Sequence, residues 1–147
     1  MTNQKHALQP IPQPTFSSAA LLVLRLIAGT AFMFHGWGKI QHPFAWMPPQ
    51  APVHIPVLFQ FLAAISEFGG GMAWILGLLT PIASLGIFST MSVACYMHMI
   101  VRHDPFVNPM GGLSYETALG YWGIALLIFA LGPGKFSLDH QIFGERK

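Results

Sequence analysis

Residues 82–101 read IASLGIFSTMSVACYMHMIV, twenty in a row from Ile82 to Val101 without one Asp, Glu, Lys or Arg. The hydrocarbon core of a bilayer is about 30 Å thick and takes about 20 apolar residues to cross as a helix. The run shows no strand alternation and is twice the length of a barrel strand, so it reads as a membrane-spanning helix. Three further stretches qualify on either side: about Ser18 to Lys39, Val57 to Leu79 and Tyr115 to Leu131.

Composition supports this reading over the whole chain of 147 residues. Charged residues make up 8% and hydrophobic ones 53%, and mean hydropathy is +0.53. A soluble domain carries about 25% charged residues, and so few charges could not clothe a water-facing surface. Disorder, a disulfide scaffold and a nucleic-acid module are excluded by a greasy chain with one cysteine and a net charge of +2. Cys95 has no second cysteine to pair with, so any redox work needs a bound cofactor or a partner.

The punctuation between the runs agrees with spans joined by loops. Pro10, Pro12 and Pro14 mark an extended N-terminal tail, and the five prolines between Gln41 and Pro56, with Phe44 and Trp46, suit a loop at headgroup level. Thr80-Pro81 reads as a tight turn joining the second and third helices into a hairpin. Gly132-Pro133-Gly134 stops the fourth. The expected architecture is all-α: an integral membrane four-helix bundle with antiparallel up-down spans. They lie at about 18–39, 57–79, 82–101 and 115–131, with a flexible cytoplasmic tail at 1–17 and a cytoplasmic C-terminal tail at 133–147. The termini share one side, which holds Lys5, Lys135, Arg146 and Lys147 against Lys39 and Arg102 opposite, a bias toward cytoplasmic termini. Arg25 inside the first run argues against a cleaved signal peptide.

Charges within a span cost roughly 2.5–3.5 kcal/mol each on insertion scales, so each needs a reason. At 100° per residue, Arg25, His35 and Lys39 share one side of the first helix with Gly29, Phe32 and Gly36. Glu67 shares a face of the second with Gln60, Ala63, Gly70, Gly71 and Trp74. His98 stands over Ala94, Met91 and Ser84 on the third, and Glu116 aligns with Gly120, Gly123 and Ala130 on the fourth. Small residues admit a neighbouring helix, so these stripes are expected to face inward. Counting about 1.5 Å per residue places Glu67 roughly 16 Å below Pro56 and Arg25 roughly 21 Å below Lys39. A structural ion pair between Arg25 and Glu67 is therefore expected at mid-membrane. Above it, an outer pocket is expected from His35, Lys39, His98 and Glu116, with Glu67 at its base. Each residue also has a plainer reading. Lys39 and Arg102 reach the headgroups, His98 is a hydrogen-bonded core histidine, and Glu116 favours a helix N-terminus. No HxxxH or HExxH spacing supports a metal, and none is expected.

The assembled motifs resemble the DoxX family of small four-helix bacterial membrane proteins. They are Arg25-Leu26-x-x-Gly29 leading to His35-Gly36-x-x-Lys39, then Glu67-x-x-Gly70-Gly71 with Gly77-Leu78, Glu116 opening the fourth helix, and Gly132-Pro133-Gly134-Lys135-Phe136-Ser137-Leu138-Asp139 closing it. Their order covers roughly residues 18–140. The resemblance implies a bacterial inner-membrane protein and a component of a quinone-linked oxidoreductase, with a quinone as cofactor and a partner oxidoreductase subunit. In that role His35 and Lys39 polarise a quinone carbonyl, while His35, His98 and Glu116 relay protons, histidine titrating near neutrality. Phe32, Phe34 and Trp74 are the ring slot, and Met91 or Met97 the adaptable packing. The competing reading is a non-enzymatic module or accessory subunit that holds an anionic small molecule against Lys39 and Arg102. Transport is a third, with Gly69-Gly70-Gly71 as the candidate break in a helix.

Overall fold

The computed structural model describes residues 9–51 and 53–144. Among them every regular element is helical: α1 Thr15–Gln41, α2 Val57–Leu76, α3 Thr80–Val101, α4 Glu116–Leu131 and a short α5 Leu138–Phe143. The first four form an antiparallel bundle. The lengths of α1, α2 and α3, at 27, 20 and 22 residues, and their hydropathy suit a membrane crossing. The fourth is as apolar but has 16 residues, about 24 Å. Phe16, Ile27, Phe34, Leu58 and Ile82 are exposed around the bundle, as side chains in contact with acyl chains are, whereas a water-facing monomer rarely shows such a continuous apolar surface.

The α2–α3 connection differs from the expected one. Helix α2 stops at Leu76, and the turn is Gly77-Leu78-Leu79, while Thr80 and Pro81 open α3. Gly77 adopts φ +64°, the left-handed conformation that commonly closes a helix, and proline fits the first helical turn because its missing N–H has no partner there. Leu79 is also left-handed at φ +49°, a strained state for a side chain with a Cβ.

A clasp from the C-terminal segment holds that turn. The buried Asp139 carboxylate accepts the Leu79 N–H at 2.7 Å and the Thr80 N–H at 2.8 Å, and its own N–H donates to the Gly77 carbonyl at 2.8 Å. Arg25 completes the clasp from α1. Its guanidinium donates to the carbonyls of Pro133 and Phe136, both at 2.7 Å. Ser137 caps α5 by accepting the His140 N–H and donates its hydroxyl to Gly134. The C-terminal segment is thus folded under the bundle. The described part of the N-terminal tail joins it, with Gln13 donating to Leu131 and Gln9 to Phe143.

The expected Arg25–Glu67 pair does not form. A Cβ on Gly36 would stand 2.5 Å from the Phe68 nitrogen, whereas one on Gly77 would meet the Arg25 guanidinium. Glu67 therefore lies level with the top of α1 and Arg25 level with the bottom of α2, about 15 Å apart at ten residues along the helix. Counting depth from Pro56 fails because α2 starts well above the level of Lys39. Between those levels α1 and α2 touch backbone to backbone: a Cβ on Gly29 or Gly71 would come within 2.6–2.7 Å of the other's carbonyl oxygen.

The half of the bundle next to the clasp is solidly packed. Ala28, Phe32, Trp74, Ile87, Met91, Ala125 and Ile128 form one cluster. Phe32 meets Trp74 and Tyr121 edge-on, with centroids 5.6 and 4.9 Å away, and Trp74 Nε1 donates to Ser84 Oγ at 2.9 Å. The expected stripe on α4 is the exception. Gly120 and Gly123 have open space where a Cβ would sit, and the buried face is instead Ala118, Ala125 and Ile128, because α4 is fixed by its larger side chains. Trp122 donates to Ser92 and stacks near Phe88.

Replacing Asp139 with Ala removes two charge-assisted hydrogen bonds from a strained turn, each worth about 1.5–3 kcal/mol. The expected result is a loss of about 3 kcal/mol or more in thermal unfolding of the detergent-solubilised protein, with helix content retained at low temperature.

Candidate ligand site

Above the packed core the bundle is hollow. A cavity of about 410 Å³ is lined by Phe32, His35, Met91, Tyr121, Thr117 and Ala118 among others. A second, of about 820 Å³, lies between the outer halves of α2 and α3 and is mostly apolar. Lys39, Glu67, Ala94 and His98 line both, so these four residues are the wall between the chambers.

Two of the wall residues sit in irregular helix. Residues Ile65–Gly69 of α2 and Met97–Val101 of α3 form π-helical turns, and Glu67 and His98 lie within them. Single π turns within α-helices are frequent at functional sites, since the extra residue re-aims a side chain. The triple glycine does not break α2, which runs on as α-helix from Gly70.

Glu67 is 2% exposed, and its Oε1 receives Lys39 Nζ at 2.5 Å. Lys39 also lies over the Trp46 ring, 4.7 Å from its centroid. Trp46 is held there by its Nε1 donating to the Gln60 carbonyl at 2.9 Å, while the Gln60 amide donates to Ile55 and accepts from Met47. With the stacking of Phe44 on Phe61, these bonds dock the proline-rich loop as a roof over Lys39. The second carboxylate oxygen, Glu67 Oε2, is buried without a hydrogen-bond partner. A buried acceptor left unmade costs roughly 1–3 kcal/mol, more when charged, so this atom is a place where a donor belongs.

His98 Nδ1 donates to Asp104 Oδ2 at 2.7 Å, and the Asp104 N–H returns to the His98 carbonyl at 2.9 Å. Arg102 Nε stands 3.7 Å from the same carboxylate. A carboxylate on one ring nitrogen fixes the tautomer and leaves Nε2 free to accept or pass a proton. His35 is exposed at the mouth of the smaller cavity, near the rings of Phe32 and Tyr121.

Of the expected site residues, His35, Lys39, Glu67 and His98 are brought together around the cavities. Glu116 is not. It is exposed and lines neither chamber, because it lies about 160° around α4 from Ala118, which faces inward, at 100° per residue. The expected ring slot is also revised: Phe32 lines the smaller cavity, but Trp74 is sealed in the core beneath it and Phe34 is 79% exposed on the outside. Met91 lines the smaller chamber and Met97 the larger. Tyr121, Asp104 and the π turns carried no periodic signal. Among the described residues no three His, Cys, Asp or Glu side chains are grouped to hold a metal.

A family model described as DoxX matches residues 20–100, more than half of the chain. The chain belongs to the DoxX family. The matched region carries His35, Lys39, Glu67 and His98, whereas α4 and the Asp139 clasp lie beyond it. The inner membrane protein YqjF of Escherichia coli (strain K12) is 28% identical over 122 residues, which cover 83% of this chain and 91% of the relative. No solved structure matches.

In this DoxX-family bundle the Lys39–Glu67 pair joins a partly exposed lysine to a buried carboxylate. Lys39→Met strands a buried carboxylate and is expected to lower stability by about 3 kcal/mol, at the low end for a broken buried pair because Lys39 is itself partly exposed. Adding Glu67→Leu should restore most of the loss. Thermal unfolding of the two single variants and the double variant checks the coupling.

Proposed function

We propose that this protein binds the head of a lipid-soluble quinone or its quinol at the wall of Lys39, Glu67 and His98, as a membrane component of a quinone-linked oxidoreductase. The observation that carries the reading is Glu67 Oε2, a buried, unpartnered acceptor in a chamber otherwise lined mainly by apolar groups. A lipid-soluble molecule that brings its own O–H suits both this acceptor and the apolar lining, and a quinol is one. The volumes suit a small ligand, since such sites span about 300–1,000 Å³.

The chain's residues then divide the work. Glu67 accepts a quinol hydroxyl at Oε2, while Lys39 holds the opposite carboxylate oxygen in place and offers its remaining N–H groups to a quinone carbonyl. His98, oriented by Asp104, exchanges protons with the outer loop region. Phe32, Tyr121 and His35 line the smaller chamber on the far side of the wall and back its ionisable groups. Interconversion of quinol and quinone moves two electrons and two protons. The electrons pass to or from a partner oxidoreductase subunit, because a lone Cys95 cannot form a dithiol pair within the chain.

The competing reading, a module for an anionic small molecule, needs a surplus of positive charge in the outer pocket. Lys39 faces Glu67 and Arg102 faces Asp104, which removes most of that surplus.

We place the protein in the bacterial inner membrane with both termini cytoplasmic. The YqjF relative's printed location supports the membrane, and Lys135, at the end of the bundle that carries the clasp, supports the orientation by the positive-inside bias. Lys5, Arg146 and Lys147, which complete the charge bias, lie outside the described residues.

Isothermal calorimetry of the detergent-solubilised protein with a tail-less benzoquinol is expected to give micromolar binding. Glu67→Gln should weaken it tenfold or more, and His35→Ala, at the exposed mouth, should weaken it without altering thermal stability. Absence of binding in the unaltered protein, or equal affinity in all three, overturns the proposal.

A further inference from the structure

The larger chamber has a use that the head of a quinol does not exhaust. It opens where α2 and α3 diverge. The two helices are held close at their turn by the clasp, and they still approach at Ser66 and Gly86, where a Cβ on Gly86 would lie 2.9 Å from Ser66 Oγ. Above that floor the groove is bordered by Ile55, Phe59, Leu62, Val93 and Met97. Phe59, Leu62 and Val93 are 57%, 46% and 49% exposed, so the rim faces acyl chains and the groove is open to the membrane along its side. Two of its three hydroxyls are already used. Ser89 Oγ donates to the Leu85 carbonyl at 2.8 Å and Thr90 Oγ1 to that of Gly86 at 3.0 Å, back-bonding that leaves the wall apolar toward an occupant.

The site is therefore amphipathic: one end is the Lys39–Glu67–His98 wall, and the remainder is a slot for hydrocarbon. We infer that this groove is the lateral entrance and tail-binding channel for a ligand with a long apolar chain, which enters from the bilayer between α2 and α3 and leaves its chain lying past Leu62 and Val93. The inference rests on the headgroup reading proposed above and goes further, since it names the tail as a determinant of recognition. A partner helix is a poorer occupant. An apolar helix face carries no polar head to meet the Lys39–Glu67–His98 wall at one end of the groove, whereas an amphiphile with one polar head and one hydrocarbon chain matches both ends. A slender chain fits.

The test compares a tail-less benzoquinol with the same headgroup bearing a decyl chain, in the unaltered protein and in Val93→Trp, reconstituted in nanodiscs of fixed lipid composition. Val93 lies on the exposed rim, so tryptophan there fills the slot without disturbing the core, and Leu62→Trp is the second variant should the first fail to fold. The decyl compound is expected to bind at least tenfold tighter than the tail-less one to the unaltered protein. Val93→Trp should reduce that ratio to within threefold while leaving the tail-less affinity within twofold. Partitioning of the decyl compound into lipid is the same in both samples, so the change in ratio reports the groove. An unchanged ratio in the variant overturns the channel and leaves the headgroup reading standing. Binding of neither compound defeats the headgroup reading itself. A variant that keeps the ratio but loses a copurifying polypeptide marks the groove as a protein interface and likewise overturns the channel.

Discussion

The carboxylate of Asp139 carries more of this architecture than any other single group. It closes the N-terminus of α3, compensates a left-handed leucine in the turn before it, and fixes the segment whose carbonyls receive Arg25. Three separate stretches of chain are thereby joined at one end of the bundle. Hydrogen bonds to charged groups are the strong ones in proteins, and away from water their exchange partners are few. With that end tied in this way, and with Trp74 and Phe32 filling the layer above it, the outer halves of the helices need not touch.

The outer half is built on the opposite plan. Its charges are paired locally, Lys39 with Glu67 and His98 with Asp104, and its roof is a loop held by Gln60 and Trp46 rather than a helix contact. Local pairing keeps the cost of intramembrane charge moderate while leaving one oxygen of Glu67 unspent. The two chambers share these charged side chains as a wall, so a molecule in either one meets the same ionisable groups.

Much of this was legible in the residues alone, and the limits have physical causes. The four helices follow from hydropathy, since apolar runs of span length have few alternatives in a bilayer. His35, Lys39, Glu67 and His98 were found because an ionisable group in an apolar run demands a reason. The choice of partner was not legible. Arg25 and Glu67 look matched in depth if helices start level, but Gly36 against Phe68 sets a register that no periodicity reveals. Arg25 is satisfied by backbone carbonyls near Pro133, and such acceptors are invisible in a sequence because every residue carries one. Glu116 faces away for a related reason: the glycines in line with it resemble a contact face, whereas Ala118, Ala125 and Ile128 are the buried one.

The π turns at Ile65–Gly69 and Met97–Val101 bear on how this family can change. Each contains one residue beyond what an α-helix needs, so losing one residue there heals the helix instead of breaking the chain. The flanking segments would keep their faces, because the π turn already absorbs the extra residue, and only the side chains within the turn, Glu67 or His98 among them, would be re-aimed. Length variation of a single codon at either position is thus a small genetic step with a large effect on what the hollow offers a guest.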